Sequence, residues 1–352
     1  MEKNYREAML YRKYADEKVE CRLCSHYCKI SQGESGICKV RRNIDGRLYS
    51  LNWGAADGAA IDPVEKKPLY HFKPGSKCLS FGSYGCNFIC SNCQNSSLSQ
   101  RARHGYSKEL NQNGFSPEKI VDAAIKANAD GIAYTYSEPT VFFEYCYDTI
   151  MLSRNNQKAE NLYHVFVSNG FMSCETAEFI IAERLIDAIN IDLKFIESGK
   201  YKRICGGKPG PVLENIARFF DAGIHIEITN LIIPDENDGK EDIERLCAAI
   251  AAISKEIPLH FSRFYPQYRM LEKPATSAQS LIKAKEIAAA AGLKYVYLGN
   301  IAIDGASDTT CPKCGKLLIE RLGYQTRTIG LDKNNNGIVR CLFCGEDINI
   351  VL

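Results

Sequence analysis

The sequence contains no apolar run of ~18 or more residues, the length a membrane-crossing helix requires. Its first residues, Met1-Glu2-Lys3-Asn4, lack the apolar stretch of a signal peptide, so a cytoplasmic chain is expected. An excess of one charge is also missing. The 44 Lys and Arg nearly balance the 42 Asp and Glu, for a formal charge of +2, which argues neither for nor against a nucleic-acid partner. Internal repeats and long low-complexity tracts are absent. At 352 residues the chain has room for one large core with small appendages.

Cysteine, by contrast, is abundant, with 16 residues. In an exported chain they would suggest disulfides; in tight clusters and without an export signal they read as metal ligands in a reducing compartment. Cys78, Cys146, Cys174 and Cys247 lie in apolar periodic segments and are expected in the core.

The central cluster is Tyr84-Gly85-Cys86-Asn87-Phe88-Ile89-Cys90-Ser91-Asn92-Cys93-Gln94-Asn95, just after the apolar run Cys78-Leu79-Ser80-Phe81. Its C-x3-C-x2-C spacing cannot close a tetrahedral zinc site. On a four-iron cluster it leaves one iron without a protein ligand, free to bind something else. The N-terminal cluster, Cys21, Cys24, Cys28 and Cys38, supplies four thiolates, enough to close one metal site. Zinc and a second iron–sulfur cluster are both open there, and His26 is expected at the surface. At the C-terminus, Cys311-Pro312-Lys313-Cys314-Gly315 and Cys341-Leu342-Phe343-Cys344-Gly345 form paired knuckles. They indicate a zinc ribbon or rubredoxin-like iron site, with zinc the preferred metal. This segment lacks a dense Lys/Arg stripe with interleaved aromatics, so protein docking or core capping is expected instead of nucleic-acid binding.

From residue 78 onward, apolar runs alternate with amphipathic patterns. Strands are expected at 78–83, 130–136, 162–168, 188–193, 224–232, 258–264 and 294–298. Helices are expected at 116–128, 139–154, 173–184, 211–222, 239–254 and 276–291. Such alternation specifies a parallel sheet with crossover helices. Residues 2–17 carry a helical pattern. Residues 62–75 hold three prolines, which forbid a continuous helix, and read as a linker.

The segment 84–95 resembles the signature of the radical S-adenosylmethionine (SAM) superfamily. Together with the N-terminal cysteines and Glu65-Lys66-Lys67-Pro68-Leu69-Tyr70-His71-Phe72, it resembles the AmmeMemoRadiSam radical SAM family, which is similar to pyruvate formate-lyase activating enzyme. The resemblance implies an α/β fold, a partial (β/α)6 TIM-like barrel over residues 76–304. It would be flanked by a four-cysteine metal module and linker over 1–75 and a four-cysteine ribbon over 305–352. Chemistry in such barrels sits at the carboxyl ends of the strands. The resemblance further implies a [4Fe-4S] cluster on Cys86, Cys90 and Cys93, whose open iron chelates SAM. Reductive cleavage would yield methionine and a 5′-deoxyadenosyl radical that abstracts hydrogen from a substrate.

The resemblance implies SAM contacts by residue. Asn92 stands where an aromatic near adenine is usual, and Phe88 or Tyr84 is expected to supply that surface. Glu138 matches the glutamate that holds the SAM amino group. Ser168 and Asn169 fall in a motif whose aspartate is here Val167, which removes an expected cation ligand. Asp192 and Lys194 match an Asp-Leu-Lys motif. Thr229 replaces an arginine that contacts SAM, Asn230 lies beside it, and His260 is placed near SAM. Cys205, in a Gly-rich basic loop, is either a relay or a small loop residue. A flavodoxin- or ferredoxin-type electron donor is implied, as is a protein or small-molecule substrate, one option being a glycine of a partner protein. RNA modification and a non-catalytic metal scaffold are the alternatives.

Overall fold

A computed structural model describes residues 5–105, 114–334 and 337–352. Its centre is an eight-stranded sheet. An edge strand β1 (Ala56–Pro63) runs antiparallel to β2 (Lys77–Ser83). Then β3 (Gly131–Tyr134), β4 (Tyr163–Ser168), β5 (Ala188–Asp192), β6 (His225–Ile232), β7 (Leu259–Arg263) and β8 (Val296–Gly299) follow in sequence order, all parallel. Six crossovers join these seven parallel strands, as the alternating pattern requires. The principal helices are α1 (Pro117–Lys126), α2 (Phe143–Arg154), α3 (Cys174–Ala182), α4 (Ser198–Cys205), α5 (Pro209–Asp221), α6 (Lys240–Ile253) and α7 (Ala278–Ala290). Pro117 opens α1 at its first turn, and the Ser173 and Ser277 hydroxyls accept from Thr176 and Ser280 N–H to cap α3 and α7. Among the described residues no helix is long and apolar enough to cross a membrane.

Strand alternation divides the core. In β5, Ile189 and Ile191 pack outward in the main cluster with the helices, while Ala188 joins Cys78, Ala133 and Val165 in a separate inner cluster. The inner cluster also contains Val64, Leu69 and Phe72, so the segment read as a linker is a plug that fills the barrel from below. Lys67 is buried and donates to Asp62 Oδ2 at 2.7 Å. Pro68 O accepts from Asn190 Nδ2 at 2.8 Å, and His71 N donates to Glu227 Oε1 at 2.7 Å. The prolines stop a helix, as expected; inward-facing polar groups of the barrel then pair the exposed backbone.

Of the expected helix over 2–17, residues 2–4 lie outside the described residues, and the described part is not helical. Arg6–Glu7 and Tyr11–Lys13 are strands, pairing antiparallel with Arg47–Ser50 and Val19–Cys21. Sheet pairing overrides a local helical preference that only a few residues support. These strands share one apolar cluster with the barrel, through Ala8, Val19, Leu23 and Val40. The C-terminal segment caps the opposite end, with Leu318, Ile319 and Val339 packed on Tyr70, Tyr295 and Tyr297. Buried Arg321 locks this cap by donating to Tyr70 O at 2.6 Å.

Candidate active site

The loop after β2 carries Cys86, Cys90 and Cys93. Its backbone is held from three sides. Ile89 and Ser91 N–H donate to Cys205 O and Ile204 O at 2.9 and 3.0 Å, and Gln100 Nε2 donates to Phe88 O at 3.2 Å. Arg269 N–H donates to Ser91 O at 3.0 Å. Cys90 is buried, whereas Cys86 and Cys93 are half-buried.

Glu138, at the end of β3, is buried and its carboxylate is heavily used. Oε1 accepts from Thr140 N–H, Thr140 Oγ1 and Ser168 Oγ at 3.0, 2.6 and 2.8 Å, and Oε2 accepts from Asn169 N–H at 2.8 Å. One lone-pair position on Oε2 stays open to a further donor. Burial raises the Glu138 pKa against the pull of these hydrogen bonds. Asn169 carries the connection on, since its Nδ2 donates to Asn87 Oδ1 at 2.7 Å beside Cys86. Glu138, Ser168 and Asn169 therefore stand together behind Cys86, as their places at strand ends suggested.

Asp192 and Lys194 stand on the other side of the loop. Lys194 Nζ lies 2.9 Å from Asp192 Oδ2. A hydrogen bond from the Cys205 thiol and the Lys194 charge both favour the Cys90 thiolate, and its pKa is lowered despite burial. Cys205, expected in a loop, is instead the buried last residue of α4, and its backbone O accepts from Ile89 N–H next to Cys90. Gly207 permits the approach, because a β-carbon there would come within 2.4 Å of the Phe88 ring.

Several expected site residues lie elsewhere or face away. Phe88 is buried behind the loop, between Phe171 and Tyr201 at ring distances of 5.2 and 5.7 Å, so it offers no face to adenine. Tyr84 is likewise buried under the Arg101 guanidinium. His260 sits three residues below the end of β7, with Nε2 2.7 Å from Glu227 Oε2 and its ring stacked on Tyr297. It belongs to the buried floor network, not the strand mouth. Asn230 braces the end of β5 through a 2.7 Å bond to Leu193 O, and Thr229 donates to Asn190 Oδ1. His26 is not a free surface residue, because its Nε2 lies 3.0 Å from Asn87 O. Cys78, Cys146 and Cys247 are core, while Cys174 is half-exposed beside Glu178.

The C-terminal quartet has the geometry of a closed metal site. Cys311 and Cys344 sulfurs are 3.6 Å apart and Cys314 and Cys341 sulfurs 3.7 Å, with all four within 4.8 Å of one another. Thiolates ~2.3 Å from one tetrahedral ion stand ~3.8 Å apart, so these residues fit a single ion such as zinc. Each knuckle turns through a glycine at positive φ, Gly315 at 71° and Gly345 at 73°.

Residues 81–249 match the model of the radical SAM superfamily. An uncharacterized protein of Methanocaldococcus jannaschii is 41% identical over 99% of this chain and 100% of its own length. Similar solved structures include a domain of pyruvate-formate lyase-activating enzyme from Bacteroides vulgatus, at 16% identity and a TM-score of 0.41, covering 49% of this chain and 100% of that one. Streptococcus suis SuiB bound to S-adenosylmethionine is similar at 14% identity and a TM-score of 0.48, covering 67% of this chain and 53% of that one. The chain belongs to the radical SAM superfamily. That membership brings SAM and an iron–sulfur cluster as its cofactors, and the open C-x3-C-x2-C loop suits such a cluster.

Proposed function

We propose that the chain is a radical SAM enzyme acting on a substrate at the carboxyl ends of its parallel strands. When bound, the cluster and SAM together supply one-electron cleavage to methionine and a 5′-deoxyadenosyl radical, which removes a hydrogen atom from the substrate. The observation that supports this reading is the grouping of charged partners around the three-cysteine loop. Glu138 and Asn169 stand behind Cys86, and Lys194 and Asp192 stand beside Cys90.

In this reading Cys86, Cys90 and Cys93 would hold the cluster. The open lone pair of Glu138 would accept from the SAM ammonium, and Lys194 would neutralise its carboxylate. Asn92 replaces the usual aromatic, and its buried Oδ1 has no partner, so it would accept from the adenine amino group. The plug of residues 64–72 closes the barrel from below, and the substrate enters from the strand mouth. A glycine on a partner protein is one substrate class; a flavodoxin- or ferredoxin-type protein would supply the electron. The ribbon would hold zinc and cap the barrel.

SAM binding to the reduced, reconstituted chain tests this assignment, read by the change in the cluster's paramagnetic spectrum. Lys194→Met should weaken binding about ten- to a hundred-fold, the value of a charged hydrogen bond. An unchanged spectrum on adding SAM to an intact cluster would refute the reading and favour a non-catalytic scaffold.

A further inference from the structure

The signature loop turns one apolar side chain outward. Ile89, the residue before Cys90, is 41% exposed, while its neighbours Phe88 and Cys90 are buried. Its backbone is fixed by the 2.9 Å bond from its N–H to Cys205 O. Its side chain lies flat on the glycine that follows, where a β-carbon on Gly206 would come within 3.0 Å of Ile89 Cγ1. A single exposed isoleucine is ordinary on a protein surface. This one stands beside a cysteine of the signature loop, and its surroundings are of one charge sign.

Residues 84–105 contain Arg101 and Arg103 but no Asp or Glu, and residues 198–213 contain Lys200, Lys202, Arg203 and Lys208, again without an acid. The whole chain has a formal charge of only +2, so the excess is local. Half-buried Arg103 donates from Nη2 to Cys86 O at 3.1 Å. Lys202 O accepts from Gly206 N–H at 3.0 Å, and Lys208 follows two residues after that glycine; both lysines are exposed. On the other flank, exposed Arg269 donates its N–H to Ser91 O at 3.0 Å. Lys200 and Arg203 already pair with Asp242 and Glu236. Lys202, Lys208, Arg103 and Arg269 therefore set the charge around Ile89.

An apolar centre within a charged rim is the build of a small interface, in which burial at the centre fixes position and charge speeds encounter. The radical SAM reading, on which this inference rests, fills the strand mouth with SAM and substrate. An electron for the cluster must then enter through the outer side of the loop, and Ile89 is the exposed side chain there next to Cys90. We infer that this face docks the electron donor, a small acidic flavin or iron–sulfur protein whose carboxylates meet Lys202, Lys208, Arg103 and Arg269 around Ile89. One electron leaves the reduced donor and enters the oxidised cluster, with no bond made or broken. Encounters of this kind bury little area and depend strongly on charge.

The test uses the full reconstituted chain and a reduced bacterial flavodoxin as the donor probe. Lys202→Glu/Lys208→Glu reverses two charges on this face, and Lys126→Glu/Lys283→Glu reverses two at exposed positions of α1 and α7. Stopped-flow absorbance reads the second-order rate of cluster reduction, and flavodoxin affinity is titrated on the same preparations. At low ionic strength the first variant should be reduced about ten- to a hundred-fold more slowly than the wild type, and the second at the wild-type rate. Added salt should shrink the difference. Dithionite, a small reductant that needs no docking face, should reduce the cluster of all three chains to the same extent, which separates lost docking from a damaged cluster. Equal flavodoxin rates for the wild type and Lys202→Glu/Lys208→Glu at low salt, or wild-type binding that ignores salt, would overturn the inference. Weakened flavodoxin binding by that variant, with SAM left uncleaved by the wild type, would uphold the docking face and refute the catalytic reading.

Discussion

The backbone N–H of Asn169 donates to Glu138 Oε2 at 2.8 Å, joining the ends of two neighbouring parallel strands directly behind the first signature cysteine. The same asparagine reaches Asn87 with its side chain. A carboxylate with an expected ligand role is thus also a structural brace. Glu138→Gln keeps the shape but turns an amide donor toward the Asn169 N–H. We expect a loss of about 1–3 kcal/mol in denaturant unfolding, from one buried donor set against another. An unaltered midpoint would show that the brace carries no weight.

Gly207 is expected to be intolerant of even one methyl group. A β-carbon there meets the Phe88 ring within 2.4 Å, and Phe88 is enclosed by Phe171 and Tyr201. Gly207→Ala should cost about 1–3 kcal/mol, as overpacking does. It should also lower cluster occupancy, because Phe88 lies between Cys86 and Cys90. Iron content and unfolding midpoint measured on the same preparation check both effects.

Acid should destabilise the fold before carboxylates titrate. Burial holds the His71 and His164 pKa down to about 3 each, from an ordinary value of 6.5. Between those values the unfolded chain binds more protons than the folded one, so stability falls as pH drops from about 6.5 toward 3. At pH 5 each histidine should cost about 2 kcal/mol relative to pH 7.5. Asp62 and Glu227, both held well below the usual carboxylate range in spite of burial, add to the loss at lower pH. Urea midpoints at the two pH values read the slope; a flat profile would contradict the burial of these imidazoles.

The ribbon quartet should bind one zinc per chain. Structural zinc contributes on the order of 10 kcal/mol of apparent binding energy. Cys341→Ser removes a buried ligand and should release the metal, lower the unfolding temperature and free Tyr70 from the Arg321 bond. Metal analysis and calorimetry of the variant test this. Full retention of zinc would exclude Cys341 as a ligand.

The parallel strands and six of the seven principal helices were legible because each strand is a short apolar run and several helices start at a Ser or Pro signal; α4 was not, because its short polar sequence runs into Gly206-Gly207 and reads as a loop. The proximity of Glu138, Ser168 and Asn169 to the Cys86 side of the loop, and of Asp192 and Lys194 to Cys90, was legible because neighbouring strand ends bring them together. The plug was not. Lys67 and His71 are buried only because Asp62 supplies a charge and Glu227 an acceptor, and Glu227 lies more than 150 residues away in sequence. His260 was misplaced for a related reason: sequence locates it on a strand but does not say how far below the mouth. The N-terminal helix failed because its strand partners, residues 19–21 and 47–50, are themselves short and weakly patterned.

The central claim is that the Cys86, Cys90 and Cys93 loop initiates radical chemistry. The most direct measurement is 5′-deoxyadenosine and methionine formed from SAM by the reduced, reconstituted chain, compared with Cys86→Ala/Cys90→Ala/Cys93→Ala. The account predicts equal amounts of both products from the wild type and neither from the variant. An intact four-iron cluster on the wild type that leaves SAM uncleaved after reduction would contradict it.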